Sequence, residues 1–326
     1  MKFTKLAALT LSSALLLGLC ACGGGNTDPV DNGSTTYTVG ICQLAPHVAL
    51  DAATQGFQDA LNEALPGQVE FKVGNAAGDS PTCATIVNGF VSEGVDLIMA
   101  NATPALNAAA TATGDIPVLG TSVTEYGVAL GIENFSGLVG TNVSGTSDLA
   151  PLDKQADMIL EWFPEAKNIG LLYCLAEANS KYQVDVVKAY LETKGLNVTL
   201  FGFSSTNDLA AVTQEAADAS DVIYVPTDNT VANSTGIINE ICLAAKVPII
   251  AGEEGICSGC GVATLSISYY DLGVTTGEMA IKILKGEADI STMRIQYAAA
   301  PTAKYDAERC AELGLTPPEG YVAIEK

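Results

Sequence analysis

The chain has 326 residues, 48% of them hydrophobic, and a formal net charge of −22 at pH 7. So acidic a protein is poorly suited to bind nucleic acid or anionic lipid. Its only arginines are Arg294 and Arg309, which argues against a phosphate site built on an arginine clamp.

Residues 1–21 have the features of a bacterial lipoprotein signal peptide. Lys2 and Lys5 precede the apolar run Leu6–Leu19, which is shorter than the roughly 20 residues of a membrane-spanning helix but suits a signal-peptide core. Leu-Cys-Ala before Cys22 resembles a lipobox. We expect Cys22 to be the lipidated first mature residue, anchored to the outer face of the cell membrane; a plain secreted protein is the alternative. Residues 22–36, rich in Gly, Asn, Asp and Ser, are predicted to form a flexible tether.

Seven further cysteines follow Cys22, an odd number that leaves at least one free thiol in an exported protein. Their pairing does not follow from the sequence. Cys257 and Cys260 have the spacing of a redox or metal pair, but a structural zinc site needs four ligands and the only histidine is His47. A local disulfide or two buried thiols is therefore favoured, and no metal or cofactor is expected.

From Tyr37 onward, short β-branched runs alternate with helical segments, one of which is expected to stop at Gly94. Apolar runs without clean alternation are typical of strands buried on both faces, and so of a parallel sheet. The predicted strands are YTVGICQL, QVEFKVGNA, VDLIMANAT and IPVLGTSV, with helices LDAATQGFQDALNEAL, TCATIVNGFVSEG and an Ala-rich segment from Pro104 between them.

The pattern then recurs: NIGLLYCLAEANS corresponds to the first predicted strand, and DVIYVPTDNT corresponds to the third. Gly40 corresponds to Gly170 and Pro117 to Pro248, offsets of 130 and 131. A shared offset indicates an internal repeat. We therefore predict an α/β protein of two similar, open, mostly parallel-sheet lobes with a ligand cleft between them. The expected boundaries are 37–147 plus about 269–290 for the N-terminal lobe, and 148–268 plus about 291–326 for the C-terminal lobe.

Open α/β sheets bind ligands beyond the carboxyl ends of their strands, so the strand ends supply the site candidates. Two of these ends lead into helices, at Thr103 and Asp228. Helix N-termini attract anions, but both residues are also ordinary capping residues.

The chain resembles ABC-transporter substrate-binding lipoproteins of the type that includes binders of tryptophan and other aromatic amino acids. The matching stretches lie between about Tyr37 and Leu315; they include VDLIMANATPALNAAATATGDIPVL, TNVSGTSDLAPLDKQ, EANSKYQV, DVIYVPTDNTV and ISYYDLGVTTGEMAIKILKG. The resemblance implies a type I periplasmic-binding-protein fold and a receptor that delivers a small solute to a membrane permease and its ATPase subunit.

The resemblance also implies a site shared by the two lobes. In the C-terminal lobe it falls on Asn179, Ser180, Asp228 and Asn229, with Glu253 nearby, and in the N-terminal lobe on Gln43, Thr103, Thr121 and Ser122. For an α-amino acid, Asp228 is the expected partner of the ammonium group. The hydroxyl groups are expected to bind the carboxylate without an arginine.

The first-lobe wall departs from the family pattern. Where the family often has Gln-Tyr-Val-Glu-His, this chain has Gln43-Leu44-Ala45-Pro46-His47, so an aromatic residue and an acid are missing. The ligand's identity is therefore open. His47 either touches the ligand's side chain or is a loop histidine at a helix start.

The leading hypothesis is a lipid-anchored, extracytoplasmic receptor of an ABC importer, with an amino acid, aromatic or large and apolar, as its ligand. Alternatives are a nucleoside or other small solute, or a receptor that feeds a signalling partner. An enzyme is disfavoured, because GICQLAPHVALD lacks a Gly-rich phosphate turn and no Walker motif or nucleophile elbow is present. A DNA-binding regulator of this fold would need a helix pair where the leader stands.

The lipobox hypothesis predicts that Cys22→Ser releases the protein from membranes, because no acyl chain can then be attached. Cys20→Ser is the matched control and should remain membrane-bound. Fractionation of cells that produce each variant measures this. Retention of Cys22→Ser in the membrane fraction would contradict the lipobox.

Overall fold

The computed structural model describes residues 36–325. The expected signal peptide, Cys22 and the expected tether up to residue 35 lie outside the described residues. Within residues 36–325, no helix is both long enough and apolar enough to cross a membrane.

The strands and helices alternate through most of the described chain. The strands are β1 (Tyr37–Gln43), β2 (Val69–Asn75), β3 (Leu97–Asn101), β4 (Val118–Val123), β5 (Val143–Ser147), β6 (Asn168–Cys174), β7 (Asn197–Phe203), β8 (Val222–Val225), β9 (Ile249–Ala251), β10 (Ala263–Ser266), β11 (Gln296–Tyr297), β12 (Thr302–Tyr305) and β13 (Val322–Ala323). The helices are α1 (Val48–Ala64), α2 (Ser80–Glu93), α3 (Thr103–Ala112), α4 (Tyr126–Leu130), α5 (Leu152–Trp162), α6 (Ala178–Thr193), α7 (Thr206–Ala219), α8 (Asn229–Ala232), α9 (Thr235–Ala245), α10 (Glu254–Cys260), α11 (Tyr269–Leu284) and α12 (Ala307–Leu313).

The strands form two sheets. The first has the order β11-β5-β4-β3-β1-β2 and the second β13-β12-β10-β9-β8-β6-β7. Every pair in the first sheet is parallel. In the second, only the β10–β12 pair is antiparallel. The predicted α/β class with two open, mostly parallel sheets is confirmed.

Each sheet is buried on both faces, as the apolar runs indicate. In the first sheet, Ile41 and Met99 pack with Phe57 of α1 on one face. Cys42 and Ile98 pack with residues of α2 and α3 on the other. The second sheet has the same arrangement, with one apolar cluster on each face. This explains why β1 and β3 lack the polar alternation of a half-exposed strand.

Two glycines fix features of the helices that pack on the first sheet. Gly94 ends α2 in the left-handed conformation, with φ 67°, as the sequence predicts for a helix stop. Gly273 of α11 lies against α1 so closely that an added Cβ would come within 2.0 Å of the Ala53 carbonyl oxygen. The helix α11, late in the chain, therefore returns to pack on the first sheet.

The chain passes between the two sheets three times. It does so at residues 148–151 after β5, at 267–268 between β10 and α11, and at 298–301 between β11 and β12. The sequence places residues from about 291 in the C-terminal lobe, whereas Gln296–Tyr297 pairs with β5 of the first sheet. The third crossing therefore lies a few residues later than the expected boundary.

The seven cysteines after Cys22 are all buried in the described structure, and each is a free thiol. Cys257 and Cys260 face the apolar cluster between α10 and the second sheet. Of the two interpretations that the sequence favours for this pair, the structure has two buried thiols.

Candidate ligand-binding site

A small cavity lies where the carboxyl ends of strands from both sheets meet. Its free volume is about 10 Å³, room for about one water molecule. Side chains from the first sheet's loops, from one crossing, from the start of α11 and from the second sheet's loops contribute to it. The lining residues are His47, Leu50, Ser122, Thr124, Asp148, Asn179, Thr227, Asp228, Asn229, Ala232, Glu253 and Tyr269.

Five of the nine residues that the sequence selects line this cavity: Ser122, Asn179, Asp228, Asn229 and Glu253. They reach it because each lies at the carboxyl end of a strand of its sheet or between that end and the first turn of the next helix. The topology of parallel strands therefore brings them together, as the sequence analysis expects.

The side chains of Gln43 and Thr121 form hydrogen bonds to neighbouring residues of the first sheet, of the loop after β1 and of α1. The Gln43 amide donates to the Ala45 carbonyl at 2.8 Å and to Asp51 Oδ1 at 2.6 Å, and its oxygen accepts from Thr54 at 2.6 Å. The fully buried Thr121 hydroxyl accepts from Thr146 at 3.2 Å. These two side chains brace β1 and β4 and do not line the cavity.

The other two selected residues lie beside the cavity. Thr103 begins α3 and lines a groove at the rim of the cleft, opposite Glu177. The Ser180 hydroxyl donates to the Thr227 carbonyl at 3.3 Å and so holds the loop after β8.

Asp228 combines a place on the cavity with a capping role. One oxygen accepts from the Cys174 backbone N–H at 2.7 Å, and the other accepts from the Val231 N–H at 2.9 Å. Burial, and secondly the nearby Glu177 carboxyl, raise the pKa of Asp228 to about 8. Both oxygens are thus occupied by the backbone that they hold in place.

Glu177, which the sequence analysis does not select, organises the same loop. Its carboxylate accepts from the Asn229 backbone N–H at 3.0 Å and from the Asn229 amide at 2.8 Å. It also accepts from the backbone and hydroxyl of Thr230 at 2.8 and 2.7 Å. The signal for it was its position in the EANSKYQV stretch.

Glu253 is the second buried carboxyl on the cavity. It caps α10, accepting from the Gly255 N–H at 2.7 Å and from the Ile256 N–H. Burial raises its pKa to about 7. Like Asp228, it has both oxygens engaged by backbone donors.

Asp148 is the third carboxyl, and it differs from the other two. It follows β5 directly, and its Oδ2 accepts from the Tyr269 hydroxyl at 3.0 Å. Burial raises its pKa, and the Thr124 side chain lies near enough to oppose that shift in part. No hydrogen bond of good geometry reaches its Oδ1. The sequence analysis missed it, although it lies in the stretch TNVSGTSDLAPLDKQ.

Two more polar atoms on the cavity are buried without a partner, Ser122 Oγ and Asn179 Oδ1. Ser122 also has φ 53°, a left-handed conformation that is uncommon for a residue other than glycine. Such strain is found at functional sites more often than elsewhere. Buried polar atoms are almost always hydrogen-bonded, so three without a protein partner around one cavity mark it as the candidate ligand site.

His47 reaches the cavity from the residue before α1. Its Nε2 lies 3.5 Å from Asn229 Oδ1, which is long for a hydrogen bond, and this contact spans the two sides of the cleft. Burial lowers the pKa of the imidazole. A neutral imidazole leaves the cavity without a cationic side chain, because no lysine or arginine is among the lining residues.

The comparisons with known proteins establish the family. Residues 38–319 match the family model for ABC transporter substrate binding proteins, and the chain belongs to that family. It is 35% identical over 297 residues to a tyrosine-binding protein of Clostridioides difficile (strain R20291). The alignment covers 88% of this chain and 86% of the relative.

Two solved structures are similar over nearly the whole described chain. An ABC domain from Streptococcus pneumonia in complex with L-Trp is 33% identical, with a TM-score of 0.84 over 89% of this chain and 100% of its own. A ligand-free, open substrate-binding protein with adhesive properties from Clostridium difficile is 37% identical, with a TM-score of 0.69 over 89% and 99%. The ABC substrate-binding family is one of receptors, which agrees with the sequence-based preference for a receptor over an enzyme.

The raised pKa of Glu253 predicts a particular pH dependence of stability. A carboxyl whose pKa is higher when folded than when unfolded contributes stability that is fully present below the unfolded value and is lost as the pH rises through the folded value. The free energy of unfolding should therefore fall between about pH 4.5 and 7. Glu253→Gln should flatten this fall, by up to about 1.4 kcal/mol per pH unit.

Urea unfolding of the ligand-free protein at several pH values measures both slopes. Glu215→Gln, at an exposed carboxylate on α7, is the matched control and should leave the slope unchanged. Only slopes are compared, because Glu253→Gln also removes one capping acceptor at every pH. Parallel curves for wild type and Glu253→Gln would show that Glu253 ionises normally in the folded protein.

Proposed function

We propose that the protein is a receptor that binds an aromatic α-amino acid in the cavity and delivers it to an ABC permease. The observation that carries the proposal is the charge of the site. Three buried carboxyl groups line one cavity at the carboxyl ends of two sheets, with no lysine or arginine among the lining residues. A ligand with a positive group offsets the burial of those carboxyls, whereas a neutral nucleoside does not.

Apolar groups line the cavity beside the three carboxyls, and a large ligand side chain enters among them only when the cleft widens. Leu50, Ala232 and the ring of Tyr269 line it together with the neutral imidazole of His47. Aromatic rings pack favourably on such surfaces, and a phenol or indole can also use a polar partner. Similarity to a tyrosine-binding protein and to a protein solved with L-Trp supports an aromatic ligand here.

The ligand's carboxylate is assigned to the Ser122 hydroxyl. Of the four hydroxyl residues that the sequence selects for this role, only Ser122 lines the cavity, and its Oγ is buried without a partner. A hydroxyl can donate one hydrogen bond to a carboxylate without bringing a buried positive charge.

Binding is proposed to close a cleft between two lobes, each built around one sheet and joined by the three crossings. The TM-score is higher against the L-Trp complex than against the ligand-free, open relative, although the open relative is more identical in sequence. This favours a closed arrangement of the lobes here. Rotation about crossing segments is a common form of such closure.

The receptor is proposed to work outside the cytoplasm, anchored through acylated Cys22 and joined to the first lobe by the tether of residues 22–36. Its partners would be an ABC permease and the ATPase subunit of that permease. No DNA or RNA partner is proposed for so acidic a chain.

A binding screen tests the ligand class. Protein unfolded and refolded to remove any bound ligand is mixed with L-tyrosine, L-tryptophan, L-leucine, adenosine or uridine. A true ligand at 100 times its dissociation constant should raise the free energy of unfolding by about 2.7 kcal/mol. We expect L-tyrosine or L-tryptophan to do so and the nucleosides to have no effect.

Calorimetry then gives the affinity for each active compound. Stabilisation by a nucleoside with no response to either aromatic amino acid would overturn the proposal. Stabilisation by L-leucine alone would keep an amino-acid receptor but exclude the aromatic preference.

A further inference from the structure

Asp148 is the carboxyl on the cavity with an oxygen to spare. Asp228 and Glu253 each use both oxygens on backbone N–H groups. Asp148 uses Oδ2 on the Tyr269 hydroxyl, while its Oδ1 is buried without a hydrogen bond. Asp148 as a whole is only 4% exposed. An unsatisfied buried carboxylate oxygen is costly unless a ligand completes it.

On the opposite side of the cavity, Asn179 also has a buried oxygen, Oδ1, without a hydrogen-bond partner. Its Nδ2 donates to Glu177, Ser180 and the Thr227 carbonyl, each at 3.2 Å, and these donations fix the amide so that Oδ1 is the free acceptor. Asn179 begins α6 beside the second sheet, whereas Asp148 follows β5 of the first. The two free acceptors therefore come from opposite sides of the cleft.

We propose that Asp148 Oδ1 receives the ligand's ammonium group and that Asn179 Oδ1 is its second acceptor. This assignment rests on the proposed function and replaces Asp228, the sequence-based choice, as the ammonium partner. An ammonium group has three N–H donors, so it can bond to both oxygens at once. One ligand atom then links the two sides of the cleft.

The position of Asp148 ties this contact to the crossings. Asp148 is the first residue of the crossing at 148–151, and Tyr269 follows the crossing at 267–268. The hydrogen bond between them joins two of the three segments that connect the sheets. Tyr269 is thus a positioning residue, which orients Asp148.

The alternative is that Asp148 only supports the crossing. Its backbone N–H already donates to the Val123 carbonyl at 3.3 Å, and its side chain holds Tyr269. A purely structural Asp148 would affect all ligands alike. An ammonium partner affects only ligands that carry the ammonium group, and this difference decides between the two roles.

The test compares L-tyrosine with 3-(4-hydroxyphenyl)propionate, which lacks the amino group, by calorimetry on wild type and Asp148→Asn. The variant keeps the shape and removes the charge. We expect its affinity for L-tyrosine to fall at least 30-fold, roughly the loss seen when one partner of a buried charge pair is truncated, and its affinity for the deaminated acid to be unchanged or higher. L-Tryptophan and indole-3-propionate serve as a second pair if the wild type prefers tryptophan.

Three variants serve as comparisons. Asp153→Asn removes one negative charge from an exposed position on α5 and should bind like wild type. Tyr269→Phe should lower the preference for L-tyrosine over the deaminated acid by a smaller factor than Asp148→Asn. Asp228→Asn should melt at a lower temperature, because the amide can replace only one of its two acceptors, and should keep that preference.

The outcomes separate this proposal from the proposed function. Wild type that binds neither L-tyrosine nor L-tryptophan refutes the proposed aromatic ligand, on which this assignment rests. Wild type that binds L-tyrosine, with the preference lost in Asp228→Asn and kept in Asp148→Asn, overturns the Asp148 assignment alone. If Asp148→Asn does not fold, a crystal structure of wild type with L-tyrosine decides. An ammonium nitrogen within about 3.2 Å of Asp148 Oδ1 supports the assignment, and contact with Asp228 instead overturns it.

Discussion

The burial of three carboxyl groups around one cavity, without a lysine or arginine among the lining residues, is the constraint on which the site depends. Stranding an unpaired ion in a protein costs several kcal/mol, and the pKa of each of these groups is raised by burial. Backbone N–H groups satisfy Asp228 and Glu253. Asp148 Oδ1 has no hydrogen-bond partner, and in the proposed binding mode the ligand's ammonium group supplies one.

The fold explains how such a site can also respond to its ligand. Parallel strands of two sheets end at the same cleft, so each side supplies acceptors that are positioned by its own sheet. A ligand shifts a conformational equilibrium only as far as it binds one state better than the other. In the proposed binding mode, an ammonium group between Asp148 and Asn179 would have both acceptors only when the two sides are together, and binding would then favour the closed state.

Much of the fold follows from the sequence because buried parallel strands leave continuous apolar runs. The repeat is visible for that reason. The stop of α2 at Gly94 is visible because glycine favours the left-handed conformation that ends a helix. The strand β5, VSGTS, has no such run, because three of its five residues are Ser or Thr. Ser144 and Thr146 are buried all the same, since their hydroxyls form hydrogen bonds within the structure. Asp148 therefore did not stand out as a strand-end residue. Local pairing also escapes sequence reasoning, as with Gln43, whose amide is fully used near α1.

The most direct test of the account is the number of protons released when ligand binds. An ammonium group among carboxyls with raised pKa values, about 8 for Asp228 and about 7 for Glu253, should lower those values and expel protons. Calorimetry of L-tyrosine binding at pH 7 in buffers of different ionisation enthalpy counts them, and a His47→Gln variant removes the contribution of the imidazole. The account predicts net proton release. A binding enthalpy that is independent of buffer, or net proton uptake, would contradict it.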